Sequence, residues 1–370
     1  MKLMAMSISG NLTPNLNNAV TCQALSKFGL IILGLWASQP SVGASVVSTI
    51  KSFNPQCIVG AYTIFESSLS DPSGVDADVA NYLTANNHWW LDLAGLQVSN
   101  YPGTYATDMS AAFATWYANR CYSKWFQLQA FDYWYIDDSF ASGESTKNCS
   151  KPMSTPTFQT GLTTFIADIR ALKTIKIMGN ADHDLSVYSG SFEGGFNEGL
   201  MGLPYSIIKT SWDYMMARYR GQLANIKPGG ISGFNIYCDL TDYKTMRFGL
   251  TSCLMDDGYF SCTTNGLGYV VPHWYEEYDA NLGDPIVGPS LTPWQNGVYR
   301  RNYQHGIVLC NPTAATVTVT LERPYQKILG LQPGNDGSII SQVSLPGNDG
   351  LILLPPTQAR RRINRNPVWS

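Results

Sequence analysis

The sequence predicts an α/β fold: a (β/α)8 TIM-type barrel followed by a small C-terminal all-β, β-sandwich-like domain. Three observations carry this expectation. Strand-like and helix-like segments alternate about eight times over roughly 240 residues, the size of one such barrel. The apolar runs are nearly continuous, as expected of parallel strands covered on both faces. After about Trp294 the pattern changes to short strands separated by Asn, Gly and Asp turns. The boundaries expected are an N-terminal extension over 1–26, the barrel over 27–294, the β domain over 295–355 and a basic tail over 356–370. A doubly wound open sheet is the competing fold, weakened because no GxGxxG follows the first strand.

The elements follow in order. Phe28–Trp36 is the first strand, Val42–Phe53 a helix and Gln56–Ile64 the second strand. Asp76–Ala85 is a helix, with Asp71, Pro72 and Ser73 as turn and capping material before it. His88–Ala94 is taken as the third strand. Asp108–Trp125 is the clearest helix, because Phe113, Trp116, Tyr117 and Cys121 recur at three- and four-residue spacing. Strand four is Phe131–Asp138, aromatic and β-branched until it ends in two acids. The helix Phe158–Leu172, strand five (Ile175–Asn180), strand six (Ser191–Asn197) and the helix Ser211–Asn225 come next. Strand seven (Ile231–Cys238), the helix Asp242–Leu254 and an eighth strand near Tyr259–Phe260 complete the barrel. In the β domain the runs are Val298–Leu309, Thr316–Leu321, Tyr325–Leu329, Ser338–Val343 and Gly350–Leu354.

Composition narrows the function. The chain has 370 residues, 44% hydrophobic and only 14% charged, with a net charge of −3. That balance sets up no global field for nucleic acid. No run is long and apolar enough for a membrane span, and Met1–Met6 is at most faintly signal-like. An extracellular or virion-associated setting is expected over a cytoplasmic one. Docking to a larger particle is assigned to the N-terminal extension or to the tail bearing Arg360, Arg361, Arg362 and Arg365. None of the eight cysteines forms a CxxC pair, which argues against a zinc ribbon or thioredoxin-like site. Cys57, Cys238 and Cys310 are expected as buried thiols. Cys121–Cys149 and Cys253–Cys262 remain candidate disulfides that sequence does not decide.

Barrel chemistry sits at strand C-terminal ends, and acids and aromatics dominate those positions here. Glycoside cleavage needs one ionised carboxylate and one protonated carboxyl. Alternation along strand four puts Tyr135 and Asp137 on one face and Trp134, Ile136 and Asp138 on the other. Asp137 is therefore the choice for the barrel mouth, with Asp138 supporting it. On strand six Glu198 follows two glycines and is favoured as acid/base over its rival Glu193. Asn180 and Asp182 on strand five are further supporting residues. Flat rings offer a platform to sugar C–H faces, and Trp36, Tyr62, Trp89, Trp90, Trp134, Trp212, Trp274 and Tyr237 are candidates. Asp239 joins them as a polar contact. Asp182-His183-Asp184 lacks partner ligands for a metal, and no HExxH, GxSxG or P-loop occurs, so neither metal nor cofactor is called for.

The same residues carry a resemblance. The strand-four tract ending Tyr135-Ile136-Asp137-Asp138 resembles the "D-G-(apolar)-(apolar)-D-D" strand of the hypothetical glycoside hydrolase family 15-like proteins. These are relatives of the barrel α-galactosidase and endo-α-galactosaminidase group. Gly194-Gly195-Phe196-Asn197-Glu198-Gly199 is similar to their strand-six glutamate motif. Trp274–Asp279 and Leu282–Pro285 resemble the segment leading out of the barrel. Tyr299–Pro312 is similar to the "R-x-F-x-x-G-x-V-L-V-N-P" opening of their β module, and the turns near Asn335 and Pro346 complete the match. It spans roughly Phe28–Leu354. Tyr133 stands where Gly is usual, and Cys310 replaces an aliphatic residue. The resemblance implies an O-glycosyl hydrolase acting on a carbohydrate. The other function in view is a non-catalytic carbohydrate-binding or structural barrel, such as a virion adhesin or decoration protein.

Overall fold

The computed structural model describes residues 1–7, 16, 18–34, 45–70, 76–99, 103–139, 154–180, 185–204, 206–265, 268–269 and 272–356. In chain order the barrel region contains β1 (Met4–Ser7), α1 (Ala19–Leu25), β2 (Leu30–Gly34), α2 (Val46–Phe53), β3 (Ile58–Ile64), β4 (Ser67–Leu69), α3 (Ala77–Ala85) and β5 (Thr104–Ala106). It continues with α4 (Ala111–Cys121), β6 (Tyr133–Asp137), α5 (Thr155–Leu172), β7 (Lys176–Asn180), β8 (Gly194–Met201), α6 (Trp212–Asn225), β9 (Ile231–Cys238), α7 (Tyr243–Leu254) and β10 (Tyr259–Thr264). Eight of these strands form one sheet in the order β1-β2-β3-β6-β7-β8-β9-β10. Leu3 bridges Phe260 in parallel, so the sheet is a nearly closed parallel barrel.

Two assignments of barrel strands differ from the sequence reading, and in the β domain the run Val298–Leu309 is two strands while Thr316–Leu321 and Tyr325–Leu329 fall in one. The first barrel strand is Met4–Ser7, inside the segment read as an extension. All four of its residues are buried, and four residues are too few to show a pattern. Conversely, His88–Ala94 is not a barrel strand. Trp89 bridges Thr107 and Leu91 bridges Gln97, in an excursion beside the small antiparallel β4–β5 sheet. One strand gained and one lost leave β6 as the fourth barrel strand.

Local chemistry explains the helices. Ser110 caps α4 by accepting from the Phe113 amide, and Ser154 caps α5 from the Thr157 amide, with Pro in the first turn. Asp242 caps α7 from the Thr245 amide. By compactness the chain divides into two units. One holds Met6–Asn197 and Gly221–Ile231; the other holds Met1–Ala5, Glu198–Arg220 and Ser232–Ser370.

In the first unit the core is strongly aromatic. Phe126 stacks on Trp134 with centroids 3.7 Å apart, and Phe65 stacks on Phe113 and Phe165. In the second unit β11 (Tyr299–Tyr303), β12 (Gly306–Asn311), β13 (Val317–Lys327), β14 (Ile339–Leu345) and β15 (Asp349–Leu354) form one antiparallel sheet, ordered β11-β12-β15-β13-β14. The expected sandwich is thus a single sheet among the described residues. Val298, Ile307, Leu309, Val319, Leu321, Val343 and Leu345 make its core. It is tied to α7 and the residues after it by Arg247 with Asp349, and by buried Arg301, which donates to the Leu254 and Asp256 carbonyls and pairs with Asp257.

Ion pairs set the acid limit of stability. Hydrogen bonding from Arg300 holds the Glu322 carboxyl down from 4.5 to about 2. Burial pushes Asp78 up, but Arg120 and Lys124 outweigh it and hold that carboxyl at about 2. These groups ionise more readily folded than unfolded. Their stabilisation is complete above the unfolded-state value and is lost as pH falls from about 4 through about 2. Tm is expected to drop over that interval, and Arg300→Met should flatten part of the slope in a thermal-unfolding series against pH.

Candidate active site

Alternation and register place the inward side chains. Tyr62 of β3 is level with Tyr135 of β6, and their rings stack at 5.4 Å. Tyr135 is level with Met178 of β7, and Asn180 is level with Phe196 of β8. Paired residues of a parallel sheet face the same side, so Tyr62, Tyr135, Asn180 and Phe196 share the interior. Two residues beyond Tyr135 on β6, Asp137 faces the same way as Tyr135.

Each carboxylate is gripped by neighbours. Asp137 Oδ1 accepts from Asn180 Nδ2 at 2.8 Å, and its Oδ2 accepts from the Tyr62 hydroxyl. Burial first, then the charges of Asp137 and Asp138, push the Tyr62 phenol well above its ordinary range, so it stays a donor. Asp138 is buried with left-handed backbone at φ 49°, ending the strand off the inward register. The next residue, Ser139, donates its amide to the Asn180 carbonyl at 2.6 Å.

Glu198 Oε1 accepts from Tyr237 Oη at 3.1 Å and from Tyr269 Oη at 2.6 Å. The backbone turns left-handed at Gly199, whose amide donates to Asn235 Oδ1 at 3.0 Å. Asn235 in turn donates to Ser261 and Thr263. Further along, Gly202 lies at φ 90°, and a Cβ there would meet the Tyr237 carbonyl at 1.7 Å. Only glycine lets the end of β8 run this close to Tyr237.

Several expected site residues are elsewhere. Glu193 precedes β8, at the opposite end of the strand from the barrel mouth. It pairs with Arg170 at 3.0 Å and Lys227 at 2.5 Å and accepts from the Ile177 amide. Burial raises its carboxyl, but those cations and the amide lower it overall. It is a structural ion-pair centre, because the strand starts three residues later than the sequence suggests. Glu193→Ala is expected to cost about 1–3 kcal/mol through the orphaned amide and cations, leaving catalytic rates unchanged in a kinetic assay.

Trp212 is also a correction. It is buried, donates to Ser252 Oγ at 2.9 Å and packs on Tyr299 at 4.6 Å, as core. Trp89 is buried, with its indole on Thr84, and Trp134 is buried on Phe126, so neither presents a sugar platform. Trp90 and Trp274 are half-buried; Trp274 donates to Asp279 at 3.2 Å. Exposed Asp239 accepts from Asn265. Trp36 and Asp182 lie outside the described residues, as do Cys149 and the arginines of the tail. Cys253 and Cys262 are free thiols, and the Cys262 sulfur sits 3.0 Å from Cys238 instead. Tyr269 and Asn235 escaped the sequence reading: Tyr269 has no strand pattern around it, and Asn235 passes for an ordinary strand residue.

A nearly closed parallel barrel with inward carboxylates toward strand C-terminal ends defines the class of barrel enzymes whose chemistry lies at that face. Solved structures share the architecture. An α-amylase from Anoxybacillus is 10% identical with a TM-score of 0.53, over 96% of this chain and 98% of its own. An isomaltulose synthase variant from Erwinia rhapontici, solved with sucrose, is 9% identical with a TM-score of 0.56, over 95% and 98%. An α-galactosidase of family GH36 from Geobacillus stearothermophilus is 9% identical with a TM-score of 0.52, over 95% of this chain and 55% of its own. No curated protein sequence matches. The model of hypothetical glycosyl hydrolase family 15 matches residues 51–307, well over half of the chain, and the protein belongs to that family. It is accordingly a glycoside hydrolase in class.

Proposed function

We propose that the protein cleaves O-glycosidic bonds of a poly- or oligosaccharide with Asp137 and Glu198. Asp137 attacks the anomeric carbon or deprotonates the water that does so. Glu198 gives its proton to the leaving oxygen, which departs as an alcohol with the electron pair of the broken C–O bond. Tyr62 and Asn180 hold Asp137, and the aromatic lining offers apolar faces to the sugar.

One observation carries the reading. The two inward carboxylates are held by phenols and an amide, Asp137 by Tyr62 and Asn180 and Glu198 by Tyr237 and Tyr269. Glu193, by contrast, is neutralised by an arginine and a lysine. Low charge and an aromatic-rich composition also suit an extracellular or virion-associated enzyme meeting polymeric glycans.

A polysaccharide digestion screen read by mass spectrometry tests the proposal, with shortened oligosaccharides as the expected result. NMR of the first anomer released then decides the role of Asp137. Retention follows direct attack, and inversion follows attack by water. Intact polymers across the screen would reject the proposal.

A further inference from the structure

We propose that Cys238 and Cys262 form a redox-active dithiol site that reacts with a low-molecular-weight disulfide, such as oxidised glutathione, and closes into an intramolecular disulfide.

Strand register brings the two together. Cys262 of β10 is level with Ile236 of β9, and Thr264 is level with Cys238. Level residues of a parallel pair share a face, as do residues two apart on one strand, so both thiols lie on one face of the sheet. Tyr237 and Thr263 alternate with them and lie on the other face. The pair is therefore separate from the contact that Tyr237 makes with Glu198. The sulfurs are 3.0 Å apart, and Tyr275 Oη lies 3.7 Å from Cys238 and 3.9 Å from Cys262. A bonded pair at about 2.05 Å is closer by about 1 Å. Cys238 is the last residue of β9, and a strand end gives way more readily than its middle. Among the described cysteines, all free thiols, Cys262 alone is not buried.

The surroundings favour a thiolate, the form that reacts with disulfides. The hydrogen bond from Cys262 outweighs burial and, with Tyr275, holds the Cys238 thiol below its ordinary value. Burial, then Cys262 and Cys238, push the Tyr275 phenol up, so it stays a donor. Either sulfur can donate across the contact, so the remaining proton passes between them and the charge reaches half-buried Cys262.

The steps balance. The Cys262 thiolate attacks one sulfur of oxidised glutathione. That S–S bond breaks, and the first glutathione leaves with its electron pair and takes up the proton the pair released. Cys238 then attacks the Cys262 sulfur of the mixed disulfide. The second glutathione leaves with that bond's electron pair and takes up the Cys238 proton. Two protein thiols are oxidised, and one glutathione disulfide is reduced to two thiols.

The test treats the native full chain with oxidised glutathione, alkylates the remaining thiols and maps the peptides by mass spectrometry. A Cys238–Cys262 cross-link is expected, with the intact mass about 2 Da below that of the reduced protein for the two hydrogens lost. Dithiothreitol should restore both thiols. Cys238→Ser should stop at a mixed disulfide on Cys262, and Cys262→Ser should take up no glutathione at Cys238. Cys253→Ser, outside the pair, should leave the cross-link unchanged. Alkylation of both residues after oxidation of the wild type overturns the inference, as does a cross-link from either of them to another cysteine or one formed only in urea. The wild-type map decides even where a serine variant fails to fold.

Discussion

Glu198→Gln and Asp137→Asn are each expected to lower polysaccharide hydrolysis by about 10²- to 10⁴-fold, the usual worth of a positioned acid or base, with the fold intact. The substitutions are isosteric, and the surrounding donors tolerate them. A glutamine at 198 still offers Oε1 to both Tyr237 and Tyr269. An asparagine at 137 still accepts from Asn180, and the Tyr62 hydroxyl can turn to accept from the new amide. What each variant loses is chemistry: Gln carries no transferable acidic proton, and Asn is neither nucleophile nor base. Initial rates alongside thermal unfolding separate the two effects. Wild-type rates in either variant would remove that residue from the mechanism.

Trp134→Ala should have the largest effect on stability, a loss of about 3–5 kcal/mol. The indole is fully buried and stacks on Phe126 with planes only 6° apart. It meets Phe165 edge-on and donates to Thr63 Oγ1 at 2.9 Å. Removing it leaves a cavity between strand and helix that neighbours on fixed backbone fill only in part. Since domains have about 5–15 kcal/mol in hand, this is a large share. The urea midpoint should fall steeply with the slope unchanged. Trp274→Ala, at a half-buried indole, should shift the midpoint by less than about 1 kcal/mol. Equal losses at the two positions would contradict the burial argument.

The barrel was legible because its strands are covered on both faces. Leu30–Gly34 and Tyr133–Asp137 had to be apolar along nearly their whole length, and that leaves a strong local signal. The alternation that sets Asp137 apart from Asp138 was legible too, since a period of two is a property of the strand itself. The choice between Glu193 and Glu198 was less secure. It depends on where β8 begins, and pairing with Met178 and Gly179 of β7 sets that start. Met4–Ser7 was missed and His88–Ala94 misassigned for one shared reason: strand membership belongs to the partner as much as to the segment. Trp212 and Trp134 looked like sugar platforms because an aromatic side chain reads the same whether it lines a cleft or fills a core.

By itself, then, the sequence determined the alternation of elements, the β module after Trp294 and the acid-bearing strand that faces inward. These follow from periodicity and turn chemistry, which act over a few residues. Only the tertiary structure decided which groups hold the carboxylates. Tyr62 reaches Asp137 from 75 residues away, and Tyr269 reaches Glu198 from 71. Contacts of that separation are created when strands and loops distant in sequence are brought side by side, as β3 and β6 are, and no local pattern in the chain encodes them.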